Sequence, residues 1–157
     1  MPLYELDVFF KDKSFDSTAD SVKSSIQEDL DIKVDSLIYI ENYSLALEES
    51  LEKVNELAEK VFIDSVLQNY SLNKHYEEKD SWLIQVSYHT DVTDNVGIVA
   101  EEAVSDYLKR QLKENESVSW NRKYFLKGNL SEKDIKRICF DLLANNVIES
   151  YEFQRCE

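Results

Sequence analysis

The segment Tyr43–Tyr70, YSLALEESLEKVNELAEKVFIDSVLQNY, and the segment Tyr124–Tyr151, YFLKGNLSEKDIKRICFDLLANNVIESY, align without gaps 81 positions apart. Ser50 falls on Ser131, Val54 on Ile135, Leu57 on Ile138, Val61 on Leu142 and Phe62 on Leu143. Asp64-Ser65-Val66-Leu67-Gln68-Asn69-Tyr70 falls on Asn145-Asn146-Val147-Ile148-Glu149-Ser150-Tyr151. Few letters are identical, so the match rests on a repeated order of strand, cap and helix. That order marks a tandem duplication. Upstream the offset reads as 77, with Leu6 on Leu83, Phe9 on Val86, Phe15 on Val92 and Val22 on Val99. The change from 77 to 81 implies four extra residues in the second copy, near Lys113-Glu114-Asn115-Glu116.

Each copy reads strand, helix, long strand, helix, strand. Tyr4, Leu6, Val8 and Phe10 alternate with Glu5 and Asp7, the period of a half-buried strand. Asp16, Ser17 or Thr18 can cap a helix with Ala19, Val22, Ile26 and Leu30 on one face. Val34 to Leu47 is a strand. Ser50 then caps a helix whose Leu51, Val54, Leu57, Ala58, Val61 and Phe62 form an apolar stripe, and Val66 to Leu72 closes the copy. In copy two, Trp82 to Val86 is a strand, and Thr93 or Asp94 caps a helix that runs to Leu112. Val118 to Lys127 is a strand. Ser131 starts a helix with Ile135, Ile138, Cys139, Leu142 and Leu143 inward, and Val147 to Phe153 is the last strand. The expected organisation is repeat 1 over residues 1–72, a polar linker over 73–81 and repeat 2 over 82–157. A unit of about 75 residues is marginal alone, so the two are expected to pack as one compact body. The fold class is α+β: a duplicated ferredoxin-like unit, mainly antiparallel, with helices on one face.

The composition excludes several classes. With 2 Gly and 1 Pro, no glycine-rich phosphate loop can form, since Gly97 and Gly128 lie far apart. A hydrophobic content of 43% argues against disorder despite a net charge of −14. That charge, without a basic stripe, disfavours nucleic acid. It is uneven: residues 1–78 hold 7 Lys against 18 acids, and residues 79–157 hold 11 Lys and Arg against 14 acids. No apolar run approaches the roughly 18 residues of a membrane span. Met1-Pro2-Leu3-Tyr4-Glu5 lacks a signal layout, and Cys139 and Cys156 show no framework spacing. These features predict a cytoplasmic protein without membrane contact.

Chemistry-bearing patterns are sparse. His75 and His89 stand apart, and no metal-ligand spacing occurs, so no metal or cofactor is expected. Cys139 sits on an apolar helix stripe and reads as core, where a nucleophile would need an exposed, electropositive setting. Among 32 acids every paired spacing arises by chance, so no pair identifies a general acid and base. Asp91-Val92-Thr93-Asp94-Asn95 lacks the glycine and the final glutamate of a calcium loop and reads as a helix cap. No catalytic residue is expected. The strand Trp120-Asn121-Arg122-Lys123-Tyr124 mixes aromatic and cationic groups in the less acidic half. Trp, Tyr and Arg are enriched at interfaces. Trp120, Arg122, Lys123 and Tyr124 are therefore the candidate interface residues.

The second copy carries a resemblance. It runs Val86-Ser87-Tyr88, Val92-Thr93-Asp94-Asn95-Val96-Gly97, Arg122-Lys123-Tyr124-Phe125-Leu126, Gly128-Asn129-Leu130-Ser131-Glu132 and Leu142-Leu143-Ala144-Asn145-Asn146-Val147-Ile148-Glu149. This order resembles the PurS-like module of phosphoribosylformylglycinamidine synthase, over about Tyr4 to Phe153. The first copy follows it with weaker letters, lacks the glycines and has Lys13-Ser14-Phe15-Asp16 in place of the loop. The resemblance implies a non-catalytic scaffold in de novo purine biosynthesis, as a free subunit or an N-terminal domain. Its partners would be the glutaminase that releases ammonia and the ATP-consuming synthetase that uses it. Two other readings fit the residues: a pair of ferredoxin-like units sensing a small metabolite, and a generic acidic interaction module.

Overall fold

The computed structural model describes residues 2–157; Met1, the first residue of the N-terminal stretch read above, lies outside them. The elements are β1 (Leu3–Phe10), α1 (Ser17–Leu30), β2 (Ser36–Ala46), α2 (Leu51–Leu57), β3 (Gln68–Leu72), β4 (Ser81–Tyr88), α3 (Asn95–Leu108), β5 (Ser117–Lys127), α4 (Glu132–Ile138) and β6 (Glu149–Cys156). The strands hydrogen-bond in the order β3-β1-β2-β5-β4-β6. Pairing is antiparallel for β1 with β2 and β3, and for β4 with β5 and β6. The expected α+β class and the duplicated strand–helix order are both present.

The register of the repeat differs from the expected one. Leu6 lies opposite Tyr43 on β2 and Leu72 on β3. Ile84 lies opposite Tyr124 on β5 and Phe153 on β6. Leu6 therefore corresponds to Ile84, not Leu83, and the offset is 78. Both side chains are fully buried, as are Val8 and its counterpart Val86, at 2% and 0% exposure. An offset of 77 would turn one strand's core face to the other side, because strand side chains alternate. Three residues, not four, are then extra in the second copy. They lie in the connection 109–116 between α3 and β5, against 31–35 between α1 and β2. α3 also stops earlier than its apolar pattern suggests. Lys109 adopts φ 57° and ends it, as Asp31 at φ 55° ends α1. A chain so poor in glycine fills these left-handed caps with ordinary residues.

Two compact units emerge, and each draws on both halves of the sequence. Unit 1 comprises the N-terminal strand up to Lys11, Glu41–Tyr76 and Thr93–Trp120. Unit 2 comprises Asp12–Ile40, Glu77–Val92 and Asn121–Glu157. The division 1–72 and 82–157 thus describes the repeat of elements, while the units are assembled by exchange of the first helix and half a long strand. The cores follow the units. Leu6, Val8, Tyr43, Leu45, Val54 and Leu57 pack with Val104 of α3 and Val118 of β5. Ala19, Ile26 and Leu30 of α1 pack with Ile84, Val86, Tyr124, Ile135 and Ile138. The long strands make this possible. At 11 residues each, β2 and β5 supply one half to each unit.

Both exchanged helices start on a buried or half-buried aspartate. Asp16 accepts from the Ala19 amide at 2.9 Å, and Asp94 from the Gly97 amide at 2.8 Å. Asp94 also accepts from the Trp120 amide at 2.7 Å, tying α3 to β5. The third helical position is Ala19 in α1 and Gly97 in α3. A Cβ at Gly97 would stand 2.6 Å from Asp94 Oδ2 and 2.6 Å from the Val118 carbonyl. Ala normally favours a helix over Gly by about 1 kcal/mol. Here Gly97→Ala is expected to lower the unfolding free energy by about 1–3 kcal/mol, because backbone must shift. Urea unfolding checks this, and a variant as stable as the parent would contradict the close approach.

The second helix of each copy ends in one turn of π-helix, Ala58–Phe62 after α2 and Cys139–Leu143 after α4. The Ile63 amide reaches back to the Ala58 carbonyl at 3.2 Å, and the Ala144 amide to that of Cys139 at 3.0 Å. Asp64 and Asn145 then turn the chain, each side-chain oxygen accepting from the amide two residues on.

Candidate functional site

The four candidate interface residues fall in two places. Trp120 is half-buried and packs against the core of unit 1. Arg122, Lys123 and Tyr124 belong to unit 2, where Lys123 and Tyr124 are each only 4% exposed. Tyr124 faces the helices as part of the core. They do not form an exposed cationic and aromatic patch. Trp120, Arg122 and Tyr124 share one face of β5 but are divided along the strand between the two units, and alternation turns Lys123 to the other face.

Arg122 instead organises an internal charged cluster. Its Nε donates to Tyr124 Oη at 2.9 Å, one terminal nitrogen donates to Glu149 Oε2, and the other donates to the Leu143 carbonyl at 2.8 Å. Glu149 Oε1 accepts from the Asn145 amide at 2.9 Å. The pair therefore clasps the end of the π turn and the bend into β6. Burial pushes the Glu149 carboxyl up, yet hydrogen bonds from Arg122 and Asn145 outweigh it and hold the group below its usual range. Burial works against the Arg122 charge, and Glu149 and Tyr124 more than offset it. Burial pushes the Tyr124 phenol up. Each of these shifts keeps the ion pair charged and the phenol neutral, a structural arrangement rather than one poised to move protons.

In unit 1 a second charged cluster uses the longer connection before β5. Glu116, 4% exposed, receives both terminal nitrogens of Arg110 at 2.7 and 2.9 Å and the amides of Glu48 and Lys113 at 2.9 Å each. Arg110 also reaches Glu49 at 3.0 Å, and Lys113 pairs with Glu48. The hydrogen bonds from Arg110 lead the causes that lower Glu116 to about 2. Sequence reading placed the extra residues here but assigned them no role. The available signal was the spacing of Arg110, Lys113 and Glu116, each three residues apart, in a connection three residues longer than its counterpart 31–35.

The linker is anchored rather than free. On the face of β1 away from the core, the Asp7 carboxylate is 1% exposed. It accepts from Asn42 Nδ2 at 2.7 Å and from the Tyr76 amide at 2.8 Å, with His75 Nδ1 at 3.7 Å. The Tyr76 ring packs on Phe9, centroids 4.8 Å apart. Asp7 reads in the sequence as the polar half of an alternation, which does not reveal its burial.

Other candidates resolve simply. Cys139 is fully buried, and burial pushes its thiol up to about 12, far from a thiolate nucleophile. Asp94 caps α3, as the loop reading expects. His89 contacts the Asn146 carbonyl at 3.3 Å. Among the described residues, no group of three or more His, Cys, Asp or Glu is placed to hold a metal ion. Nor, among the described residues, is any helix long and apolar enough to cross a membrane. An open cavity of about 420 Å³ follows β4 and β6, lined by Leu83, Gln85 and Tyr151–Gln154. In comparison with known proteins, no family model matches the chain and no curated protein matches it.

Proposed function

We propose that this chain is a non-catalytic scaffold of the PurS-like kind, serving a phosphoribosylformylglycinamidine synthase as a free subunit or an N-terminal domain. It would bridge the glutaminase that releases ammonia and the synthetase that consumes it. The observation that carries this reading is the assembly of two ferredoxin-like units from one duplicated chain with exchanged helices. Two PurS-like halves in one chain would take the place of a dimer of small subunits. The residues behind the resemblance also have definite places: Asp94 and Gly97 begin α3, and Arg122, Leu143, Asn145 and Glu149 form one cluster. These roles support a shared architecture.

Co-expression with a cognate synthetase and glutaminase tests the proposal. A stable ternary complex is expected. Omitting this chain should abolish glutamine-dependent turnover while leaving turnover with free ammonia intact. No complex, together with unchanged glutamine-dependent turnover, would overturn it.

A further inference from the structure

The two outer strands of the sheet are treated differently. β3 is short, five residues, the usual way to blunt an edge. β6 runs for eight residues, and every one pairs in unbroken register with β4, from Ser81 opposite Cys156 to Tyr88 opposite Glu149. It contains no Lys, no Pro and no bulge, and Ser150, Glu152, Gln154 and Arg155 are exposed. A long, regular edge of this kind is a template for another strand. Its charge is also balanced. Glu149 is neutralised by Arg122, and Glu152 and Arg155 oppose each other. On a chain of net charge −14, this strand is a place where like-charge repulsion opposes self-pairing little.

We propose that β6 is a homodimerisation edge, on which the β6 of a second copy pairs antiparallel, centred on Phe153. Two-fold antiparallel pairing keeps each side chain on its own face, so only residues of the same parity meet. Centring on Phe153 sets the two Phe153 rings opposite each other. It also sets Tyr151 opposite Arg155 twice on the core side, and Glu152 opposite Gln154 twice on the other side. Aromatic pairs and an aromatic facing a cation are favourable cross-strand neighbours. Both Tyr151 and Phe153 already pack on the core of unit 2, and Arg155 lies 5.8 Å over the Trp82 ring, so these side chains are placed before pairing. Centring on Glu152 would bring two carboxylates face to face in the middle of the pairing, whereas centring on Phe153 sets only Glu149, which Arg122 neutralises, opposite Glu157 past the end of the strand.

The register makes a charge test possible at Gln154, an exposed position that leaves the core untouched. The full chain is studied by sedimentation equilibrium from micromolar to submillimolar concentration. The parent is expected to dimerise, and more tightly as salt screens its net charge. Gln154→Lys places a cation opposite Glu152 twice and should tighten the dimer by about fivefold. Gln154→Glu places a carboxylate there and should weaken it by about fivefold. Thermal unfolding midpoints matching the parent confirm that both variants fold. A chain that stays monomeric throughout, a dimer indifferent to both substitutions, or one weakened by both would overturn the proposal.

Discussion

Replacing Arg122 by Ala is expected to lower the unfolding free energy by about 3–5 kcal/mol, the range for breaking a buried ion pair. The side chains of Arg122 and Glu149 are only 16% and 7% exposed. Removing the guanidinium leaves the carboxylate desolvated, leaves the Leu143 carbonyl without its donor, and frees the end of the π turn. A companion variant separates these effects. Arg122→Met with Glu149→Leu removes both charges while keeping apolar volume, and it should recover most of the loss. Denaturant unfolding of the three proteins provides the comparison. A single variant within about 1 kcal/mol of the parent would show that the pair carries little, as exposed pairs do.

The second large effect is predicted at Glu116. It accepts four hydrogen bonds from Arg110 and two backbone amides while almost fully buried. Glu116→Ala strands those donors and should cost about 3 kcal/mol. The same group gives a pH signature. Its folded value is depressed from 4.5 to about 2, so its stabilisation is present above 4.5 and is lost as pH falls toward 2. Unfolding free energy measured across that window should fall steeply in the parent and less steeply in Glu116→Ala. Equal slopes in the two proteins would show that Glu116 titrates normally in the folded state.

These predictions fall on residues that periodicity alone does not mark, and the reason is physical. Alternation along β1 and helical spacing along α2 and α4 are local signals, and Leu6, Val54, Leu57, Ile135 and Ile138 are all core as expected. The caps Ser50 and Ser131 follow local chemistry and hold in the structure, and among the candidates read for α1 and α3 the caps are Asp16 and Asp94. What local pattern misses is set by partners far along the chain. The repeat offset of 78 becomes visible only when β1 and β4 are paired with their neighbours. The exchange of α1 and α3 depends on which core each helix reaches, and both helices have similar apolar stripes. Arg122 and Lys123 read as surface cations because burial of a charge depends on its partner, and Glu149 lies 27 positions from Arg122. Asp7 is buried by a linker that reads as polar and solvated.

Methyl NOE spectroscopy tests the exchange of first helices directly. The structure places Ile26 of α1 in one core with Ile135 and Ile138 of α4, and Val104 of α3 in the other with Val54 and Leu57 of α2. Cross-peaks joining Ile26 to the α4 methyls and Val104 to the α2 methyls are predicted. Cross-peaks joining Ile26 to Val54 and Leu57, with Val104 to Ile135 and Ile138, would show two unexchanged repeats and contradict the exchange.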